Sequence, residues 1–153
     1  MYDLDETDKS ILRILQTDST TTIKEIANQL HLSTTPIFDR MKKLEKAGVI
    51  KKYVALVDNT LVDKNLTIFI HLSVKEHGKD AIDDFINAII EFDEVMECHH
   101  VSGDSDFLVK LLLKDIASYN DFILEKLAVI PNIGKVESQF SLSERKNTTV
   151  VQV

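Results

Sequence analysis

Apolar residues in the first thirty positions recur at helical spacing in two short stretches. The first stretch follows an acidic segment that suits a helix N-terminus, and it predicts a helix at about residues 6–17. Thr22, followed three residues later by Glu25, matches a capping box and predicts the start of a second helix. The apolar faces of these helices comprise Ile11, Leu12, Ile14 and Leu15, and then Ile23, Ile26, Ala27 and Leu30.

A third helix is predicted after a brief turn. Ser33 is a favourable N-cap, and the helix runs from there to about Ala47. Gly48 is expected to end it, because glycine readily adopts the backbone conformation that closes a helix. The next segment, residues 50–57, is rich in β-branched and aromatic side chains and predicts a strand. Residues 58–65 then form a linker.

Beyond the linker the pattern changes to period two, which predicts strands with one buried face. Leucine, isoleucine and valine alternate with other residues from Leu66 to Val74, and two further strands are expected at about residues 95–102 and 107–114. A last strand follows Pro131. Two helices intervene, with apolar faces formed by Ile82, Phe85, Ile86 and Ile89, and by Ile116, Tyr119, Ile123 and Leu127. The predicted order is therefore β-α-β-β-α-β.

This order is typical of the ferredoxin-like arrangement, an antiparallel sheet with both helices on one face. We therefore expect residues 66–144 to form such a domain, with the other face of its sheet left for a partner. Residues 145–153 are polar and lack clear periodicity until Val150. They are interpreted as a mobile or edge-pairing tail.

Composition places the chain among ordinary globular proteins. It has 153 residues, of which 44% are hydrophobic and 28% charged, and its formal net charge is −7. The longest apolar runs span a few residues, far short of the ~18 needed to cross a bilayer, and no signal peptide is recognised. Because the single cysteine, Cys98, cannot form an intramolecular disulfide, the expected compartment is the cytoplasm.

The excess of acidic residues is confined to the C-terminal part. Residues 1–60 hold nine Lys and Arg against nine Asp and Glu, whereas residues 61–153 hold nine against sixteen. Within the neutral first part, six basic residues and one acid occupy residues 40–52, a local net charge of +5. This basic patch keeps nucleic acid among the candidate partners despite the acidic total.

The second and third predicted helices fit a helix-turn-helix, whose second helix turns its outer face into the major groove of DNA. Ile37, Met41 and Leu44 form the inward stripe of the third helix. Its outward face then carries hydroxyls, an aromatic ring and lysines, which can contact base edges and phosphates. Spacing and charge alone fit the solvated, Lys-rich surface of an ordinary helical bundle equally well.

Metal binding and catalysis have little support. The adjacent His99 and His100 point to opposite faces of a strand and cannot share one ion without distortion, and His100 shares its face only with Cys98. The chain contains no Gly-x-Ser-x-Gly, no phosphate-binding Gly-rich loop and no His-Glu-x-x-His. We therefore expect no enzyme activity, no metal and no cofactor.

Two motifs, in this order along the chain, carry a resemblance to a known family. The first comprises Leu32-Ser33-Thr34-Thr35-Pro36 with Arg40, Leu44–Ile50 and Tyr53–Leu56, and the second is Glu97–Leu108, which contains Gly-Asp-Ser-Asp. They resemble the DNA-binding and ligand-sensing halves of the Lrp/AsnC family, also called feast/famine regulators. The resemblance implies an α+β protein with a winged-helix-like helix-turn-helix domain at residues 1–57, followed by the ferredoxin-like domain for oligomerisation and effector sensing.

The resemblance also implies a transcription regulator that binds double-stranded DNA as a homodimer and assembles into octamers or other higher oligomers. Such a protein would be cytoplasmic and nucleoid-associated, would not bind membranes, and would respond to a small amino acid. The implied effector site lies near the Gly-Asp-x-Asp turn and the last strand. Its residues are Ser102, Gly103, Asp104 and Asp106, with Val136 and Ser138 opposite.

The chemistry of this implied site is reasonable, because turn amides can bind an α-carboxylate and an aspartate can bind the α-ammonium. The alternative is that the turn only closes the hairpin. This sequence departs from the family's usual pattern at three positions nearby. They are Ser105, often aromatic, Val136, commonly threonine, and Asn132, where glycine often follows proline.

DNA contacts are expected on and beside the third helix. Thr34, Thr35 and Phe38 would read bases, with Ser33 beside them, and phosphates would be bound by the basic side chains of Lys24, Arg40, Lys42 and Lys43. Arg40 has an alternative role, which is to brace the helix against a neighbouring acid. Two such helices related by a two-fold axis would enter successive major grooves about 34 Å apart.

Two other functions stay open from the sequence. One is a nucleoid-organising protein that binds DNA broadly without an effector. The other is an amino-acid-binding or metal-binding regulatory module that never contacts DNA.

Overall fold

The computed structural model of the chain describes residues 3–153, which form two compact units. The first unit extends to Leu56 and also contains Lys146–Val153, and the second unit is Val57–Arg145. The chain therefore passes between the units twice. Within residues 3–153, no helix combines the length and the apolar character that crossing a membrane requires.

Three helices build the first unit, as predicted: α1 is Glu6–Thr17, α2 is Ile23–Gln29 and α3 is Thr34–Lys46. The carboxylate of Asp5 caps α1 by accepting a hydrogen bond of 2.9 Å from the backbone N–H of Asp8. The capping box that starts α2 is confirmed, because the side chains of Thr22 and Glu25 each accept a hydrogen bond from the other residue's backbone. Local sequence therefore determines where these helices begin.

The start and end of α3 follow the prediction with one difference. Ser33 occupies the N-cap position, but its side chain makes no capping hydrogen bond, so its hydroxyl is free for another donor or acceptor. Ala47 is the C-cap, and Gly48 follows with φ of +72°, a conformation that glycine adopts without steric cost.

The three helices share one apolar core. The inward residues of α3, Ile37 and Leu44, are completely buried, and Met41 between them is partly buried. They pack with the buried face of α1 and α2, which consists of Ile11, Leu12, Leu15, Ile26 and Ala27. The inward stripe predicted for α3 is thus confirmed, and of the residues between its members Phe38, Asp39, Lys42 and Lys43 are exposed.

The prediction of a strand at residues 50–57 is wrong. The structure shows no strand in this segment, and its residues from Lys51 onward are exposed. β-branched and aromatic side chains favour an extended backbone, but a strand forms only when a neighbouring strand pairs with it. The linker region that follows holds one turn of 3₁₀ helix, Asn59–Val62, which the carboxylate of Asp58 caps.

The second unit has the predicted β-α-β-β-α-β order. Its elements are β1 Leu66–Val74, α4 Lys79–Ile90, β2 Val95–His100, β3 Phe107–Leu113, α5 Ile116–Asp121 and β4 Ile133–Phe140. The four strands form one sheet in the order β2-β3-β1-β4, and all neighbouring pairs are antiparallel. This is the expected ferredoxin-like arrangement.

One face of this sheet is apolar and carries the helices. The alternating residues Ile68, Ile70, Leu72 and Val74 of β1 are buried together with Phe107, Val109 and Leu111 of β3, and they pack against Phe85, Ile89, Phe122 and Leu127. The residues between them, such as His71 and Leu108, lie on the opposite face and are only half-buried. The period-two pattern therefore decides which side chains can reach a ligand on the open face.

The second helix of this unit is shorter than its apolar pattern predicts. After α5, residues Phe122–Lys126 form a π-helical turn and Leu127–Val129 a 3₁₀ turn. Phe122 and Leu127 are both buried in the core, but residues five apart in a regular α-helix are about 140° apart around its axis. The wider turn lets both side chains enter the core.

The segment Lys146–Val153 packs on α1 and does not pair with the sheet. The guanidinium of Arg13 donates a hydrogen bond of 2.9 Å to the backbone oxygen of Val153. The side-chain amide of Gln16 both donates to and accepts from the backbone of Val151, at 3.0 and 2.6 Å. Val153 also packs against the core of the first unit. The expectation of a mobile or edge-pairing tail is corrected accordingly, since its partners come from the other end of the sequence.

These contacts predict that the tail stabilises the first unit. Val153→Ala should lower the free energy of unfolding by roughly 1 kcal/mol, because it removes two methyl groups that pack against the helical core. Val150→Ala is the matched control, since Val150 is half exposed. Thermal unfolding followed by circular dichroism would measure both. Equal melting temperatures for the two variants would contradict a stabilising role for the tail.

Candidate DNA interface and ligand cleft

The outward face of α3 presents a continuous polar surface with one aromatic ring. Thr34, Thr35, Phe38 and Lys42 are all exposed, as is Ser33 immediately before the helix. Residues 34, 38 and 42 follow one another at intervals of four and so lie in a row along one side of the helix. The residues expected to read bases are therefore brought together on one surface.

Lys42 is already engaged in this surface. Its Nζ lies 2.8 Å from Oε2 of Glu45 and 5.9 Å from the centre of the Phe38 ring. The hydroxyl of Tyr53 donates to the other carboxylate oxygen of Glu45 at 3.2 Å. The hydrogen bond from Lys42 lowers the pKa of Glu45, and burial together with the contact to Glu45 raises the pKa of Tyr53. The Lys42 side chain is itself 60% exposed, and its ammonium has further N–H groups with which it can bind a phosphate while it contacts Glu45.

Arg40 braces α3 against α1. Its Nη1 lies 2.6 Å from a carboxylate oxygen of Asp5 and 2.7 Å from one of Asp8, and the Asp8 residue is only 4% exposed. Hydrogen bonds to Asp8 and Asp5 raise the pKa of Arg40. The backbone N–H of Asp8 and the Arg40 side chain hold the pKa of Asp5 below its usual value. Arg40 therefore makes the contacts of its alternative, bracing role, and we propose that this role replaces the expected phosphate contact.

Lys24 and Lys43 are the expected phosphate ligands that the fold leaves free. Lys24 is exposed in the first turn of α2, and Lys43 is exposed on α3. Neither side chain forms an ion pair with any of residues 3–153, so both ammonium groups can approach DNA without breaking an internal contact. The sequence identified both residues but could not separate them from Arg40 and Lys42.

The second unit contains a cleft of about 440 Å³ on the open face of the sheet. It lies where β1, β3 and β4 meet the turn that connects β2 to β3. Its lining residues are His71, Ser73, Val101, Ser102, Asp104, Ser105, Leu108, Lys135, Glu137 and Gln139. Of the residues implied to bind an effector, Ser102 and Asp104 line this cleft.

Asp106 closes the turn beside the cleft and does not line it. One oxygen of its carboxylate accepts a hydrogen bond of 2.8 Å from the backbone N–H of Val74, and the other lies 3.2 Å from Nε2 of His77. The contact with Val74, and then that with His77, lowers the pKa of Asp106. Gly103 sits within the turn with φ of +131°, which only glycine adopts readily. For these two residues the structure supports turn formation.

The cleft carries charges of both signs. Nζ of Lys135 lies 2.9 Å from Oε2 of Glu137, and this contact raises the pKa of Lys135 and lowers that of Glu137. Asp104 in the turn is exposed, and Leu108 supplies apolar surface. A ligand with both an ammonium and a carboxylate can find complementary groups in this cleft.

Val136 and Ser138 lie on the other face of the sheet, and the expectation that they face the turn residues is corrected. Val136 pairs with Leu72 and Ser138 with Ile70, both of which point into the helix-covered core. The hydroxyl of Tyr119 donates to that of Ser138 at 2.9 Å. Because side chains alternate along a strand, their neighbours Lys135, Glu137 and Gln139 reach the cleft. None of these three residues was predicted from the sequence to line a ligand site.

The histidines and Cys98 do not form a metal site. His100 stacks on Phe107 with ring centres 4.8 Å apart, and His99 lies 3.3 Å from Glu97. Burial raises the pKa of the Cys98 thiol, which disfavours the thiolate that metals bind. Over residues 3–153, no three histidine, cysteine, aspartate or glutamate side chains gather closely enough to hold an ion.

Comparison with known proteins accounts for both units. The family model described as winged helix-turn-helix DNA-binding matches residues 4–51. The model described as the Lrp/AsnC ligand binding domain matches residues 67–151, more than half of the chain.

Curated relatives match almost from end to end. The transcriptional regulator AzlB of Bacillus subtilis is 33% identical over 150 residues, which cover 98% of this chain and 96% of that protein. The leucine-responsive regulatory protein of Escherichia coli strain K12 is 32% identical over 146 residues, 95% of this chain and 89% of its own length. Both relatives are named as regulatory proteins. The expectation that the chain is a regulator without enzyme activity is therefore confirmed.

Solved structures agree over the whole chain. A transcriptional regulator of Neisseria meningitidis in complex with L-Met superposes with a TM-score of 0.92 at 33% identity, covering 97% of this chain and 96% of that one. An AsnC family transcriptional regulator of Agrobacterium tumefaciens also has a TM-score of 0.92, at 38% identity and the same coverage.

The bracing role of Arg40 predicts a stability defect. Arg40→Gln should lower the free energy of unfolding by about 2–3 kcal/mol, because the buried carboxylate of Asp8 loses its charged partner. Lys43→Gln, which removes the same charge from the same helix, should leave it nearly unchanged. Chemical denaturation of the two variants measures the difference. A stable Arg40→Gln protein would show that the brace is dispensable.

For DNA binding, we expect the substitution of Lys43 to have an effect and that of Arg40 to have none, because only the ammonium of Lys43 is free of an ion pair with residues 3–153. Lys43→Gln should reduce the slope of log K against log salt concentration by about 0.9 for each protomer bound, because one phosphate contact is lost. Arg40→Gln, assayed well below its melting temperature, should retain the wild-type slope. Anisotropy titrations at several salt concentrations give both slopes. An unchanged slope for Lys43→Gln would remove Lys43 from the interface.

Proposed function

The chain belongs to the Lrp/AsnC family of transcriptional regulators, and on that premise we propose that it reads a specific DNA sequence and responds to a small amino acid. DNA binding by the helix-turn-helix domain and a ligand-binding domain are properties of the family to which it belongs. Membership sets aside the alternative of a regulatory module that never contacts DNA. The identity of the ligand and the specificity for DNA are the proposed parts.

For DNA, we propose that α3 enters the major groove with its outward face toward the bases. Thr34, Thr35 and Phe38 contact base edges, with the uncapped hydroxyl of Ser33 beside them. Lys24, Lys42 and Lys43 bind phosphates, and Lys42 can do so while it contacts Glu45. Two protomers related by a two-fold axis then place their helices about 34 Å apart, which favours a pseudo-palindromic site.

The cleft on the open face of the sheet is the observation that carries the proposal of an amino-acid effector. It offers carboxylates, Asp104 and Glu137, for an α-ammonium, and Lys135 with the turn amides for an α-carboxylate. Leu108 and Val101 provide apolar contacts for a side chain. A volume of about 440 Å³ lies in the range of small-molecule sites. That a related regulator was solved with L-Met agrees with this chemistry.

We further propose that the protein acts as a homodimer that assembles into octamers or other higher oligomers, in the cytoplasm and on the nucleoid. A ligand changes DNA affinity only if it binds one arrangement of the protein better than another. A cleft on an open sheet face is suited to this, because a second copy docked there would share the ligand. The effector would then select one oligomeric arrangement.

The test is fluorescence anisotropy of a labelled duplex from the region upstream of the protein's own gene, with and without pooled amino acids. We expect tight binding that is steeply salt-dependent and shifts at least about five-fold with the pool, the lower range of measured allosteric coupling. Tight binding that ignores every amino acid would favour the effector-independent nucleoid protein. Equal affinity for unrelated duplexes would contradict sequence-specific binding.

Lys135 and Ser138 lie on opposite faces of β4, so substitutions at these residues provide a test and a control for the effector site. Lys135→Met and Asp104→Asn should lose the response, because each removes a charge that the cleft offers to a zwitterion. Ser138→Ala should retain it, since Ser138 faces the helices and contacts Tyr119. Loss of the response in Ser138→Ala alone would transfer the effector site to the other face of the sheet.

A further inference from the structure

Phe38 is the one large apolar side chain on the outward face of α3. It is 46% exposed, whereas its neighbour Ile37 is completely buried. An isolated exposed aromatic is common on protein surfaces and carries no functional meaning by itself. The position of Phe38 within α3 and the contacts around it carry the inference, which rests on the sequence-specific DNA binding proposed above.

Phe38 occupies the middle of the row formed by residues 34, 38 and 42. Thr34 precedes it by one helical turn and Lys42 follows by one turn, so the ring lies between a hydroxyl and an ammonium on the surface that faces DNA. Asp39 beside it is exposed and acidic, so its carboxylate would repel a phosphate at this point of the surface. With α3 docked in the major groove as proposed above, a ring at the centre of the row faces base edges.

The Phe38 ring has a charged neighbour that is itself held in place. The ammonium of Lys42 lies 5.9 Å from the ring centre, within range of a cation–π contact, and Glu45 holds that ammonium at 2.8 Å. Tyr53 in turn holds Glu45. These contacts place an ammonium over the Phe38 ring, and 46% of Phe38 remains exposed.

The chemistry of the ring selects its partner. Adenine, guanine and cytosine present hydrogen-bonding groups in the major groove, and packing a phenyl ring on them would leave those groups unsatisfied. Thymine presents, beside its O4 acceptor, a C5-methyl group, which gains by leaving water. We propose that Phe38 is a specificity-determining residue that recognises a thymine in each half-site by packing its ring against the C5-methyl group.

The test begins with duplexes selected by the full-length protein from a random pool. In the selected duplex, each thymine is replaced in turn by deoxyuridine, which removes only the methyl group. At one thymine per half-site, the replacement should weaken binding by about four-fold, the effect of one methyl group leaving an apolar contact. Anisotropy titrations measure each duplex. If no thymine shows this dependence, the proposal is overturned.

Variants at Phe38 decide whether the ring is responsible. Phe38→Ala should bind the thymine and deoxyuridine duplexes with equal affinity at that position, whereas Phe38→Leu should keep a preference for thymine. Lys43→Gln is the control, because it weakens binding to both duplexes and leaves their ratio unchanged. Since Phe38 is outside the core, its variants should retain the wild-type melting temperature. A preference for thymine that persists in Phe38→Ala overturns the proposal.

Failure of the proposed function gives a different result. If selection returns no preferred sequence, the proposal of sequence-specific DNA binding is wrong, and so is the proposed role of Phe38. If selection returns a clear sequence that tolerates deoxyuridine everywhere, specific binding stands and only the thymine contact is wrong.

Discussion

The contact between Arg40 and the two carboxylates at the start of α1 determines what the DNA-binding unit can present. Asp8 is nearly buried, and a buried carboxylate is tolerated only when a charged or hydrogen-bonding partner replaces its water. Arg40 supplies that partner, with its Nη1 2.7 Å from a carboxylate oxygen of Asp8. This contact holds α3 against α1. Position and rotation of α3 follow from this contact together with its core residues Ile37, Met41 and Leu44. Every outward side chain of α3 is oriented as a consequence.

Those parts of the fold that depend on local patterns could be predicted from the sequence. The capping box at Thr22, the stripe of Ile37 and Leu44, and the alternation in β1 are each readable within about ten residues, and the structure contains all three. The segment 50–57, the π turn after α5 and the tail on α1 were not predictable in this way. Each depends on partners elsewhere in the chain, which periodicity does not encode.

The candidate sites show the same division. A resemblance located the cleft near the Gly-Asp-Ser-Asp turn but placed Val136 and Ser138 in it, one residue out of register with the side chains that line it. The alternation of β4 contains the correction, because Val136 pairs with the core residue Leu72 while Lys135 and Glu137 point the other way. On α3, helical spacing gave the outward residues correctly. Charge alone could not show which basic residue had an internal partner.

The distribution of internal partners changes what the basic patch means for DNA. Arg40 and Lys42 are paired within the unit, whereas Lys24 and four residues of the basic patch, Lys43, Lys46, Lys51 and Lys52, form no ion pair with any of residues 3–153. Most of the basic patch is therefore available for phosphates. Contacts between cations and phosphates attract any duplex alike, so in the proposed interface discrimination between sequences has to come from the uncharged row of Thr34, Thr35 and Phe38. A regulator that must find few sites among many requires such discrimination.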